Sequence, residues 1–393
     1  MEFPAPPEPV ESISPAELKQ RIDSGEQVTV LDTRKADEYE RWHISDETVV
    51  SYNIPYTVFQ DDRLDEDDLA ELPTDRQITA VCAIGKSSEY VAGILNERGY
   101  DVVHLADGMA GWARIYEAVE VTRYDGAGSV WQYQRPSSGC LGYFVVDGGE
   151  AAVVDPLRAF TDRYPDAATR HGGELTYAID THVHADHISG LRDLQEAGIE
   201  GVMSAPAADR GVADADRLTL LEDGDELQVG TVTIEAIHTP GHTSGMMSLL
   251  VADELLLTGD GLFIGSVARP DLEEGAAGAP AAARQLHESL HERILPLPDE
   301  TLVGPGHHGE ATDPATDGSY TARLGDIRSL DVLSLSREAF VEVVLTDMPP
   351  RPANYEEIIA TNLGQRVTDD AEAFTLELGP NNCAASADST AVD

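Results

Sequence analysis

The run THVHADHISG constrains this chain more than any other feature, because it sets His182, His184, Asp186 and His187 directly after the strand-like segment TYAID. In an extended loop, residues two apart point the same way, so His182 and His184 can reach one ion together. Asp186 and His187 sit where a helix is expected to begin and project to the neighbouring side. His242 in HTPGHTSG, Asp260 in LLLTGD and His307 in GPGHHG each close a strand-like run at a glycine turn, where loops can converge on one edge of a sheet. A single residue of this kind is ordinarily a capped turn or a surface histidine. Five of the twelve histidines and two aspartates in the order HxHxDH, H, D, H are a constellation. Neutral imidazoles and carboxylates without thiolates suit Zn²⁺, Fe²⁺ or Mn²⁺.

The 393 residues are too many for one ordinary core and fit two domains of about 100 to 200 residues each. No stretch approaches the roughly 18 uncharged apolar residues of a membrane span. The N-terminus, MEFPAPPEPVES, has neither the basic start nor the apolar run of a secretory signal, so a cytoplasmic protein is expected. A net charge of −46, from 72 acidic and 26 basic residues, repels phosphate backbones and anionic lipid, so neither nucleic acid nor membrane is an expected partner. Lysine occurs only at Lys19, Lys35 and Lys86 and the acidity is spread along the chain. That pattern suggests adaptation to high salt, where screening over about 3 Å at 1 M removes most self-repulsion. Three cysteines far apart, Cys82, Cys140 and Cys383, make no disulfide framework and fit a reducing compartment.

Along the chain, residues 1–11 read as an extension, 12–115 as one domain, 116–127 as a linker, 128–379 as a second domain with a C-terminal extension, and 380–393 as a polar, disordered tail. In the first domain VTVLDTR (28–34) and ITAVCAIG (78–85) are buried strands, and 87–100 is a helix ending at Gly99. In the second, CLGYFVVD, AAVVDP, TYAID, VTIEAIH, MMSLLVAD and ELLLTGD are strands interleaved with helices such as AARQLHESLHERIL. Helices packed outside two sheets make a four-layer sandwich. The segment GAAGAPAAA (275–283) reads as a loop running into a helix.

Cys82 follows the strand ITAV and opens the loop CAIGKSS, which leads into a helix. Backbone amides of such a turn and the helix N-terminus stabilise an anion, so Cys82 is the candidate for a reactive thiolate or persulfide, with Lys86 adding positive charge. The plain alternative is a buried structural cysteine. His287 and His291 read as a solvated helix face, His238 and His308 as supports behind the ligands, and His43, His104 and His171 as residues without a function; Cys140 and Cys383 receive no role.

Over residues 12–115, LDTRKADEYERWHISDETVVSYNIPY and DGMAGW resemble the rhodanese family, with Asp107 in place of the family's first glycine and Ser87 and Ser88 where many members carry Arg. This implies sulfur transfer through Cys82. Over roughly 125–310 the ligand order resembles the metallo-β-lactamase superfamily. The fold expected is therefore α/β throughout: a rhodanese-like α/β domain followed by a metallo-β-lactamase αβ/βα four-layer sandwich. That resemblance implies His182, His184 and His242 on one metal, Asp186, His187 and His307 on a second, and Asp260 between them.

LLLTGDGLFIGSVARPDL and MPPRPANYEEIIATNLG (348–364) resemble the persulfide dioxygenase branch, related to glyoxalase II. In that branch one Fe²⁺ is held by two His and one Asp, here His182, His242 and Asp260, leaving positions for O₂ and the persulfide sulfur. Arg269 and Lys86 are then substrate-binding candidates, and Cys82 and Asp186 catalytic ones. The partners implied are a low-molecular-weight thiol persulfide and O₂, and the family tendency is to a homo-oligomer. Glutathione-using members often place a Tyr shortly after the final His, whereas His308 and Gly309 follow His307 here, so the thiol carrier stays open. The rival is a two-zinc thioester hydrolase of glyoxalase II type, for which all seven ligands are present, with the rhodanese-like domain as a regulatory or sulfur-binding module.

Overall fold

The computed structural model describes residues 5–385 apart from 8, 61–63, 66, 310, 347 and 381. It divides into two compact units, Met1–Ile115 with Arg135–Ser138, and Tyr116–Gln134 with Gly139–Asp393.

In the first unit, strands β1 (Ser12–Ile13), β2 (Val28–Asp32), β3 (Val49–Asn53), β4 (Ile78–Val81) and β5 (Val102–Leu105) form a sheet in the order β1-β5-β4-β2-β3, with every neighbouring pair parallel. Strands β2 and β4 are buried along their whole length, as expected of a parallel sheet covered on both faces. Leu18, Ile22, Met109 and Trp112 pack on one face; Leu69, Val91, Ala92 and Leu95 pack on the other. The helix Pro15–Asp23 starts where Ser14 Oγ accepts the amide of Glu17 and proline takes the first turn, a position where its missing N–H costs nothing.

The second unit begins with β6 (Glu117–Glu120), β7 (Ser129–Arg135), β8 (Cys140–Asp147), β9 (Glu150–Val154), β10 (Glu174–Ile179), β11 (Glu200–Ser204) and β12 (Thr219–Leu221). These make a seven-stranded sheet in sequential order. A second, six-stranded sheet, also in sequential order, holds β13 (Glu226–Val229), β14 (Val232–His238), β15 (Met247–Val251), β16 (Leu255–Gly259), β17 (Leu302–Pro305) and β18 (Ala322–Arg323). Inward side chains of both sheets, among them Tyr143, Val145, Val154 and Ile179 from one and Ile234, Leu249, Val251 and Leu257 from the other, form one core. The outer face of the first sheet is covered by the helix Arg163–Arg170 through Tyr164, Ala167 and Ala168. The outer face of the second is covered by Gly275–Ser289 and Arg337–Leu345 through Leu286, Phe340 and Val344. The four layers expected from the sequence are therefore present.

Three segments differ from expectation. Residues 116–127, read as a linker, open with β6, which pairs antiparallel with β7 and so extends the first sheet. The segment 275–283 is helical from Gly275 onward, because its alanines favour helix and Ala279 and Ala283 are buried. The tail expected from Pro380 is docked at residues 382–385: Cys383 and Ala385 are buried, Ala384 bridges to Ala268, and the amide of Ala385 donates to Val267 O at 2.9 Å. Residues 386–393 of that tail lie outside the described residues. Among the described residues no helix is long and apolar enough to cross a membrane.

Candidate metal centre

Each predicted ligand lies just beyond a strand of the sandwich. His182, His184, Asp186 and His187 follow β10, His242 lies between β14 and β15, Asp260 directly follows β16 and His307 follows β17. All seven are buried. Gly259, which precedes Asp260, has φ +47, and a Cβ there would come within 2.6 Å of Thr181 Oγ1; only glycine lets β16 run this close to the histidine loop.

Within this cluster the ligand atoms of His182, His242 and Asp260 form one group, all within 4.8 Å of one another. Asp260 Oδ2 lies 3.6 Å from His182 Nε2 and 3.7 Å from His242 Nε2. All three atoms are buried and none makes a hydrogen bond, an arrangement that buried polar atoms avoid unless something binds them. The other nitrogen of each ring fixes its tautomer. His242 Nδ1 donates to Arg269 O at 2.9 Å. His182 Nδ1 donates to Thr181 Oγ1 at 2.9 Å, and that hydroxyl donates in turn to Asp155 Oδ2 at 2.9 Å. Both Nε2 lone pairs are thereby directed at Asp260, as metal-ligating imidazoles require. Burial and the neighbouring His184 lower the pKa of His182 to about 4, and burial lowers that of His242. Burial opposes the charge on Asp260, but His307 and His182 outweigh it and hold the carboxyl well below its usual range. Two neutral imidazoles and one carboxylate fit a divalent transition metal.

His184 is not part of this group. Its Nε2 donates to Asp155 Oδ1 at 3.1 Å and lies 4.0 Å from Asp180, with which it forms a separate cluster. Its Nδ1, like Nε2 of His182 and of His242, is buried and without a hydrogen bond, so the ring keeps a lone pair for a metal. Burial raises the pKa of Asp180 to about 6, and Asp180 accepts a hydrogen bond from Ser189 Oγ at 2.7 Å.

Asp186, His187 and His307 form the other side, joined by a residue the sequence left without a role. Cys140, the first residue of β8, places Sγ 3.2 Å from His307 Nε2 and 3.3 Å from Asp186 Oδ2, and the four ligand atoms lie within 4.8 Å of one another. Cys383 joins Asp186, Asp260 and His307 in a further group. Ring nitrogens of His307 face Asp260 Oδ1 at 2.5 Å and Asp186 Oδ2 at 2.8 Å. Only an imidazolium donates to both. Burial opposes that charge, but the two carboxylates raise the His307 pKa well above its usual value. Burial likewise opposes ionisation of Cys140, and the positive charge of His307 overcomes it, so this thiol's pKa falls. Burial and the charges of Asp186 and Asp260 push that of Cys383 well up. Two thiols thus lie among the candidate ligands, where the sequence led to imidazoles and carboxylates alone.

Arg269, expected to bind substrate, has its guanidinium engaged within the chain. It is 1% exposed. Its Nε and Nη2 donate to Asp271 at 2.7 and 3.2 Å, and Nη1 donates to Pro350 O and Asn382 O at 3.0 and 2.9 Å. The guanidinium is spent on tying the C-terminal segment to the strand ends, while the backbone carbonyl orients His242. His287 and His291, expected to be solvated, stack at 3.9 Å and face Leu335 O and Leu333 O. His308 stacks on Tyr320 at 3.7 Å, and His238 Nε2 bonds Ser244 O.

In the first unit, Cys82 lies between β4 and the helix Lys86–Glu97, whose N-cap Gly85 has φ +80. Cys82 is 2% exposed, and Ser88 Oγ donates to its Sγ at 3.3 Å. Ile84 at the loop tip is 53% exposed, and Lys86 is exposed at the start of the helix. The loop is held from below, where the amides of Met109 and Ala110 donate to Cys82 O and Ala83 O at 2.8 and 3.0 Å. Asn362, inside the segment MPPRPANYEEIIATNLG, and Glu377 also reach the histidine loop from far along the chain.

A two-sheet sandwich with a buried His/Asp centre at its strand ends defines a metallo-β-lactamase type of enzyme. The family model for the metallo-β-lactamase superfamily matches residues 137–307, and that for the rhodanese-like domain matches 14–115. The chain is 31% identical over 265 residues to the mitochondrial persulfide dioxygenase ETHE1 of Bos taurus, covering 65% of this chain and 96% of that one. It is also 31% identical to a hydroxyacylglutathione hydrolase-like protein of Mus musculus, covering 59% and 77%. Among solved structures, ETHE1 from Myxococcus xanthus superposes with a TM-score of 0.52 at 29% identity, covering 60% of this chain and 98% of that one. The chain belongs to the metallo-β-lactamase superfamily and carries a rhodanese-like domain ahead of its metal-binding domain.

Proposed function

We propose that this protein is a mononuclear iron persulfide dioxygenase: R–S–S⁻ + O₂ + H₂O → R–SH + HSO₃⁻. The observation that carries the reading is the His182/His242/Asp260 group, whose three ligand atoms lie together, buried and without hydrogen bonds. A face of two imidazoles and one carboxylate is the donor set of oxygen-activating ferrous centres. The similarity to a named persulfide dioxygenase over nearly all of that protein's length supports the substrate class. Iron bound there would supply O₂ activation and a coordination position for the persulfide sulfur.

The chain's own residues have distinct tasks. Asp155 through Thr181, and Arg269 through its carbonyl, hold the two ligating rings. His307 bridges the carboxylates of Asp186 and Asp260. The buried surroundings exclude bulk water. Cys82 carries sulfane sulfur by the exchange Cys82–S–S⁻ + R–SH → Cys82–SH + R–S–S⁻, with Ser88 donating to the sulfur and Lys86 at the mouth of the loop. Cys82 is buried, so a carrier thiol reaches its sulfur only when the surrounding loop opens.

A second reading, a two-zinc thioester hydrolase, draws on His184 Nδ1, Asp186 Oδ1 and His187 Nε2, which are also buried and without hydrogen bonds. Metal content of anaerobically prepared protein, paired with O₂ uptake on adding glutathione or coenzyme A persulfide, separates the two. The dioxygenase gives about one iron per chain and persulfide-dependent uptake that His242→Ala abolishes together with the iron. About two zincs per chain, no uptake and thioester cleavage would establish the hydrolase instead.

A further inference from the structure

The loop that bears His182, His184, Asp186 and His187 has no regular structure, yet all of residues 181–190 are buried. Its amides and carbonyls must therefore find partners outside the ladders of a sheet or helix. On one flank these come from the turn after β9: the amide of Gly190 donates to Pro156 O at 2.6 Å, and that of Arg158 to Ile188 O at 2.9 Å. On the other flank they come from one side chain far along the sequence. Asn362 Nδ2 donates to both His184 O and His187 O at 2.9 Å, while its Oδ1 accepts the amide of Ser189 at 2.9 Å. Only a carboxamide can donate twice and accept once from that place. Asn362 ends the helix Tyr355–Asn362, which is itself anchored because buried Ile358 packs with Ile188 and Ala373. Glu377 adds a fourth bond, accepting the amide of Ile188 at 3.1 Å.

We propose that Asn362 is a positioning residue, whose amide sets the turn that presents His184, Asp186 and His187 beside the iron-binding face. The proposal rests on the mononuclear dioxygenase reading for its kinetic consequence. Asn362 bonds to none of the backbone of His182, His242 or Asp260, so its loss should leave iron in place and alter what surrounds it.

The test compares holoenzymes of wild type, Asn362→Ala and the near-isosteric Asn362→Asp, loaded anaerobically with Fe²⁺ and probed with nitric oxide. The aspartate keeps volume and the acceptor for Ser189 but loses both donors, and it carries the test if the alanine variant does not fold. Both variants are expected to keep about one iron per chain, to show an altered ferrous-nitrosyl electron paramagnetic resonance spectrum, and to lose about tenfold or more in kcat with KM changed by less than about threefold. A wild-type spectrum and kcat in Asn362→Asp would overturn the proposal, as would loss of iron in step with a lowered Tm, the mark of a merely structural role. If the wild type holds zinc and consumes no O₂, the dioxygenase reading falls alone, and the absorption spectrum of the Co²⁺-substituted variants decides on Asn362 by the same comparison.

Discussion

Arg269 shows how one residue can matter to a site without touching substrate. Its carbonyl aligns His242, and its guanidinium pairs with Asp271, which also receives Arg351 Nε at 2.8 Å. Lysine cannot reproduce a fork that bonds a carboxylate and two carbonyls together. Arg269→Lys is therefore expected to destabilise the metal-binding unit by about 3 kcal/mol, the scale for breaking a buried pair, while KM for persulfide stays within about twofold of wild type. Thermal melting and steady-state O₂ uptake check this; a raised KM with an unchanged Tm would return Arg269 to substrate contact. At this scale the ligands themselves are legible in sequence, because HxHxDH is local and the single ligands sit at strand ends marked by glycine. Cys140 and Cys383 are not legible, and for Asn362 the sequence marks only the segment that holds it, not its contact. Cys140 meets Asp186 across 46 residues and Asn362 meets His184 across 178, and no local pattern records a contact made only when the sandwich closes. The pairing of Arg269 is illegible for a related reason: an arginine near a site looks the same in sequence whether its fork faces a ligand or a buried aspartate.

At the scale of elements, buried strands announce themselves as apolar runs: β2, β4, β8 and β16 fall inside the segments expected, and β10 overlaps TYAID but starts two residues earlier, at Glu174. Misreadings arise where composition and context disagree. Glu117–Glu120 is too polar to read as a strand, but an edge strand needs only backbone pairing and one half-buried side chain; Val119 is that side chain. The glycine-and-alanine-rich segment 275–283 looks like a loop, yet alanine's helix propensity and the burial of small side chains against the second sheet decide it. The DGMAGW turn under the cysteine loop has a sharper requirement. Gly108 has φ +55, and a Cβ there would lie 2.1 Å from Cys82 O, so any side chain forces the loop and the turn apart. Gly108→Ala is expected to cost about 1 to 3 kcal/mol and to abolish sulfur transfer through Cys82. Iron content and persulfide-dependent O₂ uptake should stay at wild-type levels. Loss of both activities together would mean that the variant acts on the whole chain, not on the cysteine loop.

For the whole molecule the governing quantity is charge. With 72 acidic and 26 basic residues, surface carboxylates outnumber the partners available to them, and their mutual repulsion opposes the compact state. Screening acts on exposed charges and much less on buried ones, so salt should influence folding and chemistry differently. The surface is relieved as ionic strength rises, whereas Asp186 and Asp260 are already compensated inside by His187 and His307. Tm is therefore expected to climb steeply from about 0.1 M to about 1 M KCl and then level off, since the Debye length has by then fallen from about 10 Å to about 3 Å. O₂ uptake per bound iron, measured well below each Tm, should be nearly independent of salt over that range. A Tm that ignores salt would show that self-repulsion does not limit the fold, and a per-iron rate that rises with salt in step with Tm would place surface charge, not the buried ligand network, in control of the site.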